Sequence, residues 1–208
     1  DFRVLVVEDG VYPCSREVVE DMQDRLKIEY FPVNQQVGRC RAGNIGLQKA
    51  ITEYVCFLDD DDYFFAEHFE VMACLIEKNP ESEVFITGAI EGACEIDKKD
   101  PTNFKFVRKQ NVAKDHLQLL DFFYDNPVPI QSVVFKRTLF EQYGGLDESL
   151  DALEDWDMWM RYLCKSRFSY ASKATSIYKI PADSIDYEKR DKEIGKYRYA
   201  VFEKMKAY

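Results

Sequence analysis

The sequence predicts an α/β fold, a mostly parallel central sheet flanked by helices, and three observations predict it. Apolar runs alternate with amphipathic stretches in the order strand, helix, strand, helix, strand from residue 2 to residue 58. The 208 residues are 46% hydrophobic, which suits one domain with a buried core and is too apolar for a disordered acidic chain. No apolar run approaches the roughly 20 residues that span a bilayer, and no signal peptide is visible, so a soluble, cytoplasmic protein is expected.

Residues 2–7 read as a buried strand that turns at Glu8, Asp9 and Gly10. Ser15 is placed to cap a helix with Val18, Val19, Met22 and Leu26 at helical spacing. Residues 27–33 form a second strand, closed by Pro32 and Asn34. Residues 41–52 form a helix with Ile45, Leu47, Ala50 and Ile51 available for its buried face. Residues 54–58 form a third strand that runs into four aspartates. Helices follow at 66–78, 116–124, 137–143 and 154–164, with strands at 83–89, at 131–135 and within 168–178. Gly144 and Gly145 stop the helix before them. Residues 91–115, with Lys98, Lys99, Arg108 and Lys109, read as a long loop or an edge hairpin. One domain over 1–185 is expected, with an amphipathic helix over 186–208 packed on it through Ile194, Tyr197, Val201 and Met205.

The formal charge is -10, from 28 Lys+Arg against 38 Asp+Glu. Two stretches without Lys or Arg carry all of it: Asp59, Asp60, Asp61 and Asp62, then Asp147, Glu148, Asp151, Glu154, Asp155 and Asp157. Such a balance argues against nucleic acid as a partner, since phosphate neutralisation needs clustered bases. The six cysteines form no C-x-x-C pair and read as buried, reduced thiols rather than a zinc site.

In α/β sheets ligands gather beyond the carboxyl ends of strands, where Asp59 to Asp62 would sit. Adjacent carboxylates raise one another's pKa unless a cation compensates, and Mn2+ or Mg2+ is the natural oxygen-liganded cation. Such an ion bridges to a diphosphate and stabilises its departure. In the second stretch, helix capping accounts for some acids, but not for six in eleven residues interleaved with Trp156 and Trp159. A carboxylate beside aromatic surface has its pKa raised toward a general base's range.

Four blocks then resemble the inverting, nucleotide-sugar-dependent glycosyltransferases of family 2, of GT-A (Rossmann-like) fold. Val6-Val7-Glu8-Asp9-Gly10 resembles V-D-D-G. Gly38-Arg39-Cys40-Arg41-Ala42-Gly43-Asn44-Ile45-Gly46 resembles G-x-x-x-A-R-N-x-G. Phe57-Leu58-Asp59-Asp60-Asp61-Asp62 resembles F-L-D-x-D-D, which contains the D-x-D motif. Gly144-Gly145-Leu146-Asp147-Glu148 through Glu154-Asp155-Trp156-Asp157-Met158-Trp159 resembles G-G-F-D-E…E-D-x-D-x-W. The resemblance implies that Asp9 holds the nucleotide base with help from Arg39. It puts Asp59 and Asp60 on the nucleotide sugar, with Asp59 facing the ribose or metal, and gives the metal to Asp61 and Asp62. Asp155 becomes the general base and Glu154 shapes the acceptor side. The implied donor is a UDP-sugar, and the implied acceptor is a glycan or a lipid-linked glycan, as in polysaccharide biosynthesis.

Three departures stand out. The match begins at the family's second strand, so the first strand is expected ahead of Asp1. Gly43 replaces the Arg of A-R-N. Tyr178-Lys179-Ile180-Pro181 stands where many relatives carry Tyr-Arg-x-His, so Pro181 replaces a histidine ligand while Lys179 could still meet a phosphate. A response-regulator receiver shares the opening acidic strand, with Asp59 as phosphoacceptor and Thr87 as switch residue, but leaves the second acidic stretch unexplained. A non-catalytic glycan- or nucleotide-binding relative is the other alternative. The tail over 187–208 carries seven basic and four acidic groups, which allows peripheral membrane contact but better fits a solvated helix.

Overall fold

The computed structural model describes residues 2–12, 14–97 and 103–208. Lys98 and Lys99 lie outside the described residues. Strands β1 (Val4–Glu8), β2 (Ile28–Pro32) and β3 (Tyr54–Cys56) alternate with helices α1 (Arg16–Met22) and α2 (Arg39–Lys49), as the apolar periodicity predicts. β1 and β2 pair in parallel from Val4↔Ile28 to Glu8↔Pro32, and α2 packs back onto β1.

A second sheet has the order β3-β7-β5-β8-β4, where β4 is Tyr63–Phe64, β5 Val84–Ile96, β7 Val133–Lys136 and β8 Phe168–Pro181. The α/β class and the helix-flanked sheet stand, but the strand directions are mixed rather than mostly parallel. Among the described residues only β1–β2 and β5–β8 are parallel pairs; β3–β7, β5–β7 and β4–β8 are antiparallel. Parallel pairing needs a crossover connection. β5 instead returns directly through β6 (Phe104–Asn111) as an antiparallel edge hairpin, and β7 follows a loop with only a four-residue helix, α4 (Leu119–Phe122). Among the described residues β1 pairs only with β2, and β3 only with β7. Gly88 lies where the β5–β8 register shifts; a Cβ there would stand 2.8 Å from the Ser172 carbonyl oxygen.

The helix expected over 116–124 is shortened to α4. Its start is set by a reciprocal cap between Gln118 and Asp121, which leaves His116 in the preceding loop. The strand expected from 131 begins as a 3-10 turn, Ile130–Ser132. α5 (Arg137–Tyr143) stops at Gly144, whose φ of 77° suits glycine.

Alternation along β5 separates two cores. Val84 and Ile86 face the larger one, while Phe85 packs with Met72 and Val134 beneath α3 (His68–Lys78). α6 (Glu154–Leu163) runs through the larger core, with Trp156, Met158, Trp159, Met160 and Tyr162 at most 1% exposed. α7 (Ser184–Met205) closes that side through Val201 and Met205. Cys40 and Cys94 are buried, but Cys14 and Cys74 are exposed, so burial does not extend to all the thiols. Among the described residues no helix is long and apolar enough to cross a membrane.

Candidate functional site

Past β3 the chain turns back on itself, with Asp62 N–H donating to the Asp59 carbonyl at 3.1 Å. The turn gathers Asp59, Asp61 and Asp62 so that one carboxylate oxygen from each lies within 4.8 Å of the others. Asp60 is not one of the three and is exposed, as Asp61 is. The pairing of Tyr63 with Ile177 of β8 fixes the far side of the turn, and the Lys179 amide donates to Asp62 Oδ1 at 3.1 Å. Burial pushes the Asp62 carboxyl up to about 7 against the pull of that amide. Burial, together with Asp61 and Asp60, also raises Asp59 despite Arg39. Crowded carboxylates that resist ionisation are the donor set a hard divalent cation relieves, so these residues fit Mn2+ or Mg2+.

Arg39 joins this turn to the second acidic stretch. Its Nε lies 2.7 Å from Glu154 and its NH2 lies 3.2 Å from Asp59. The guanidinium is set at the first residue of α2 by the preceding loop, where Asp9 accepts the amides of Val37 at 2.6 Å and Gly38 at 2.9 Å. Arg39 therefore spans the two acidic groups, and both oxygens of Asp9 are engaged by backbone.

Next to Glu154, Asp155 opens α6. Its Oδ1 accepts the Trp156 amide and its Oδ2 the Asn126 side chain, both at 2.8 Å. Burial, reinforced by the neighbouring Glu154 charge, pushes its carboxyl up to about 7, while Asn126 and Arg39 pull it down. The turn into α6 uses Leu153 at φ 63°, a left-handed conformation uncommon for a bulky residue.

The other acids of this stretch hold the architecture. Asp157, with its side chain 0% exposed, takes Arg161 at 3.0 Å, Lys204 at 2.6 Å and the Tyr208 hydroxyl at 2.6 Å. Asp147 also binds Lys204, Asp151 accepts the Tyr197 hydroxyl, and Glu148 accepts the Asn44 amide. Asn44 further accepts from the Leu146 amide at 2.8 Å and donates to its carbonyl at 2.9 Å, fastening α2 to the Gly144-Gly145 turn. A Cβ at Gly43 would stand 2.6 Å from Leu146 Cδ1, so a side chain there requires the Leu146 side chain to move. Trp156 and Trp159 belong to the core and offer no face to a sugar.

Lys179 stacks its ammonium on Phe104, 3.8 Å from the ring centroid, and on Tyr63. His68 is buried against Phe64 and Thr175, and burial holds it down to about 4. Thr87, the switch residue of the receiver alternative, is buried 2.8 Å from Thr175. A cavity of about 730 Å³ lined by His116, Gln118, Tyr170 and Lys173 contains none of the acids described. Asn44 occupies the Asn of the G-x-x-x-A-R-N-x-G block, whereas Asn126, a neutral amide in unpatterned surroundings, carried no sequence signal beyond the Asn126-Pro127 turn dipeptide.

The sheet, its covering helices and the acidic turn at the end of β3 place this chain in the GT-A class of α/β folds. Solved structures agree. The S. aureus TarS 1–349 complex with UDP superposes with a TM-score of 0.67 at 22% identity, over 93% of this chain and 55% of that one. A Pyrobaculum calidifontis mannosyltransferase in complex with GDP-Man and Mn2+ superposes with a TM-score of 0.68 at 16% identity, over 99% and 55%. The chain belongs to the family described as glycosyltransferase like family 2, whose model matches residues 1–202. A Campylobacter jejuni GalNAc(5)-diNAcBac-PP-undecaprenol beta-1,3-glucosyltransferase is 28% identical over 183 residues, 86% of this chain and 56% of the relative. A Haemophilus influenzae protein described as an uncharacterized glycosyltransferase is 26% identical over 171 residues, 81% and 54%. The chain thus spans little more than half the length of these relatives.

Proposed function

We propose that this chain carries the catalytic site of an inverting glycosyltransferase that moves one sugar from a nucleotide-diphosphate sugar to an acceptor hydroxyl. The observation that carries the reading is the Arg39 bridge, 3.2 Å to Asp59 and 2.7 Å to Glu154, which makes one site of two acidic groups 95 residues apart in sequence. Asp59, Asp61 and Asp62 would hold Mn2+ or Mg2+, which supplies Lewis-acid stabilisation of the leaving diphosphate. Asp9 and Arg39 would contribute to the nucleotide side. Asp60, exposed like Asp61, would contribute to the nucleotide-sugar side.

Asp155 would take the proton of the acceptor hydroxyl at a carboxylate oxygen. The freed oxygen attacks the anomeric carbon as the sugar–phosphate bond breaks on the opposite face, inverting the configuration. A carboxyl pushed up to about 7 suits that step, because it is basic enough to accept a proton and about half of it is ionised at neutral pH. Glu154, paired with Arg39, would shape the acceptor side. The relatives support a UDP- or GDP-linked donor and a glycan or lipid-linked glycan acceptor. A peripheral position at the inner membrane face would bring such an acceptor to a cytoplasmic enzyme.

The test is incubation of the full-length protein with UDP-glucose, UDP-N-acetylglucosamine and GDP-mannose, with Mn2+ or with EDTA. Nucleoside diphosphate release and the first-formed anomer are followed by proton NMR. Metal-dependent release with an inverted anomer is expected. A retained anomer would refute the inverting reading, and glycan or nucleotide binding without turnover would favour the binding relative.

A further inference from the structure

We propose that Asn126 is the positioning residue for the Asp155 carboxylate, fixing its second oxygen by a side-chain hydrogen bond from outside the acidic stretch. The inference rests on the reading of Asp155 as the base, but its test is arranged so that either can fail alone.

The geometry is specific. Asn126 Nδ2 donates to Asp155 Oδ2 at 2.8 Å, while the Trp156 amide holds Oδ1 at the same distance. With one donor on each oxygen, the carboxylate plane is set. The Asn126 Oδ1 is buried without a hydrogen-bond partner among the described residues. Asp155 is therefore the one hydrogen-bond partner of the Asn126 side-chain amide among the described residues.

The loop around Asn126 is itself anchored on both sides. Trp156 Nε1 donates to the Phe122 carbonyl at 2.8 Å, tying α4 to the residue after Asp155. Asp125 pairs with Arg198 of α7 at 3.2 Å, and that guanidinium lies 5.8 Å from the centroid of the Trp156 ring. Beyond Pro127, Val128 and Ile130 enter the core. These anchors limit how far the amide can drift from the carboxylate. The charged groups around Asp155 are Glu154 on its own helix and Arg39 from α2, with the Asp125–Arg198 pair beyond the amide. Glu154 and Arg39 act in opposite directions, which leaves the Trp156 amide and Asn126 as the neutral donors that favour the ionised form, Asn126 being the side chain among them.

The experiment compares wild type, Asn126→Leu and Asn126→Ser in the full-length protein. Asp155 is followed by 13C carboxyl titration, and turnover by UDP release from UDP-N-acetylglucosamine. Asn126→Leu keeps the volume and removes the donor, so the Asp155 titration should move up by about one unit. The acid limb of kcat should move with it, and kcat should fall about tenfold or more with the donor KM unchanged. That loss is a fraction of the 10²–10⁴ a positioned base contributes. Asn126→Ser, which restores a smaller donor, should recover part of both. An unchanged Asp155 titration in a folded Asn126→Leu protein would overturn the proposal, whatever the turnover. If the titration moves but Asp155→Asn retains wild-type turnover, the positioning stands and the base reading fails.

Discussion

Arg39→Met is the most informative single perturbation of the fold around the site. The substitution keeps much of the apolar stem and removes the guanidinium that sits 2.7 Å from Glu154 and 3.2 Å from Asp59. Glu154 keeps only 4% of its side chain exposed, so it is left as a buried charge without its partner. Breaking a fully buried pair from one side costs about 3–5 kcal/mol. The Arg39 side chain is 57% exposed, so solvent recovers part of that, and about 2 kcal/mol is the expected loss. For a chain of this size that lowers Tm by about 4–8 °C. Thermal melts of Arg39→Met, Glu154→Gln and the double variant form a closed cycle. The double variant should be more stable than the sum of the singles implies, by about 1 kcal/mol or more. Strict additivity, with coupling near zero, would refute the claim that Arg39 joins the two acidic groups.

Other consequences concern pH, packing and the tail. With Asp155 as the proposed base, the kcat profile should rise with pH through about 7, because the ionised form accepts the proton and burial holds its carboxyl near that value. Glu154→Gln removes a charge that raises Asp155, so the acid limb of a pH–rate profile should shift downward. Gly43→Arg, which restores the family's residue, should destabilise the protein by about 1–3 kcal/mol in denaturant melts, because the first added carbon stands 2.6 Å from Leu146 Cδ1. Lys204→Met should cost about 1–3 kcal/mol, since Asp157 loses a partner at 2.6 Å but keeps Arg161 and Tyr208. Against the upward push of burial, Lys204 and Ser149 hold Asp147 down to about 2. The stability from Asp147 is therefore present above its ordinary 3.8 and lost as the pH falls through about 2, a loss that acid melts should show blunted in Lys204→Met.

The site was legible where charge density broke the background. Asp59, Asp61 and Asp62 follow an apolar strand with nothing to neutralise them, and Asp155 sits in a run of acids that capping alone does not explain. Composition did not distinguish Asp155 from its neighbours, because their partners come from distant segments: Lys204 and Tyr208 for Asp157, Tyr197 for Asp151, Asn44 for Glu148. For the same reason α6, an acid-led helix in sequence, is buried almost all round, Glu154 being paired with Arg39 of α2 and Asp157 with Arg161 of its own helix and Lys204 of α7. Strand direction was hidden in β7, whose three apolar residues and closing Lys136 pair in parallel or antiparallel equally well and are oriented by the loop that delivers them. Asn126 was invisible because a single amide in a loop has no period and no charge.

The central claim is that the aspartate turn serves the departing diphosphate and Asp155 serves the acceptor. Calorimetric titration of UDP with Mn2+ into wild type, Asp61→Ala and Asp155→Asn, alongside turnover of the same preparations, separates the two directly. Asp155→Asn should bind the metal–nucleotide as wild type does while losing about 10²–10⁴ in turnover. Asp61→Ala should lose the metal-dependent part of binding. Wild-type turnover in Asp155→Asn, or metal-dependent nucleotide binding unchanged in Asp61→Ala, would contradict the account.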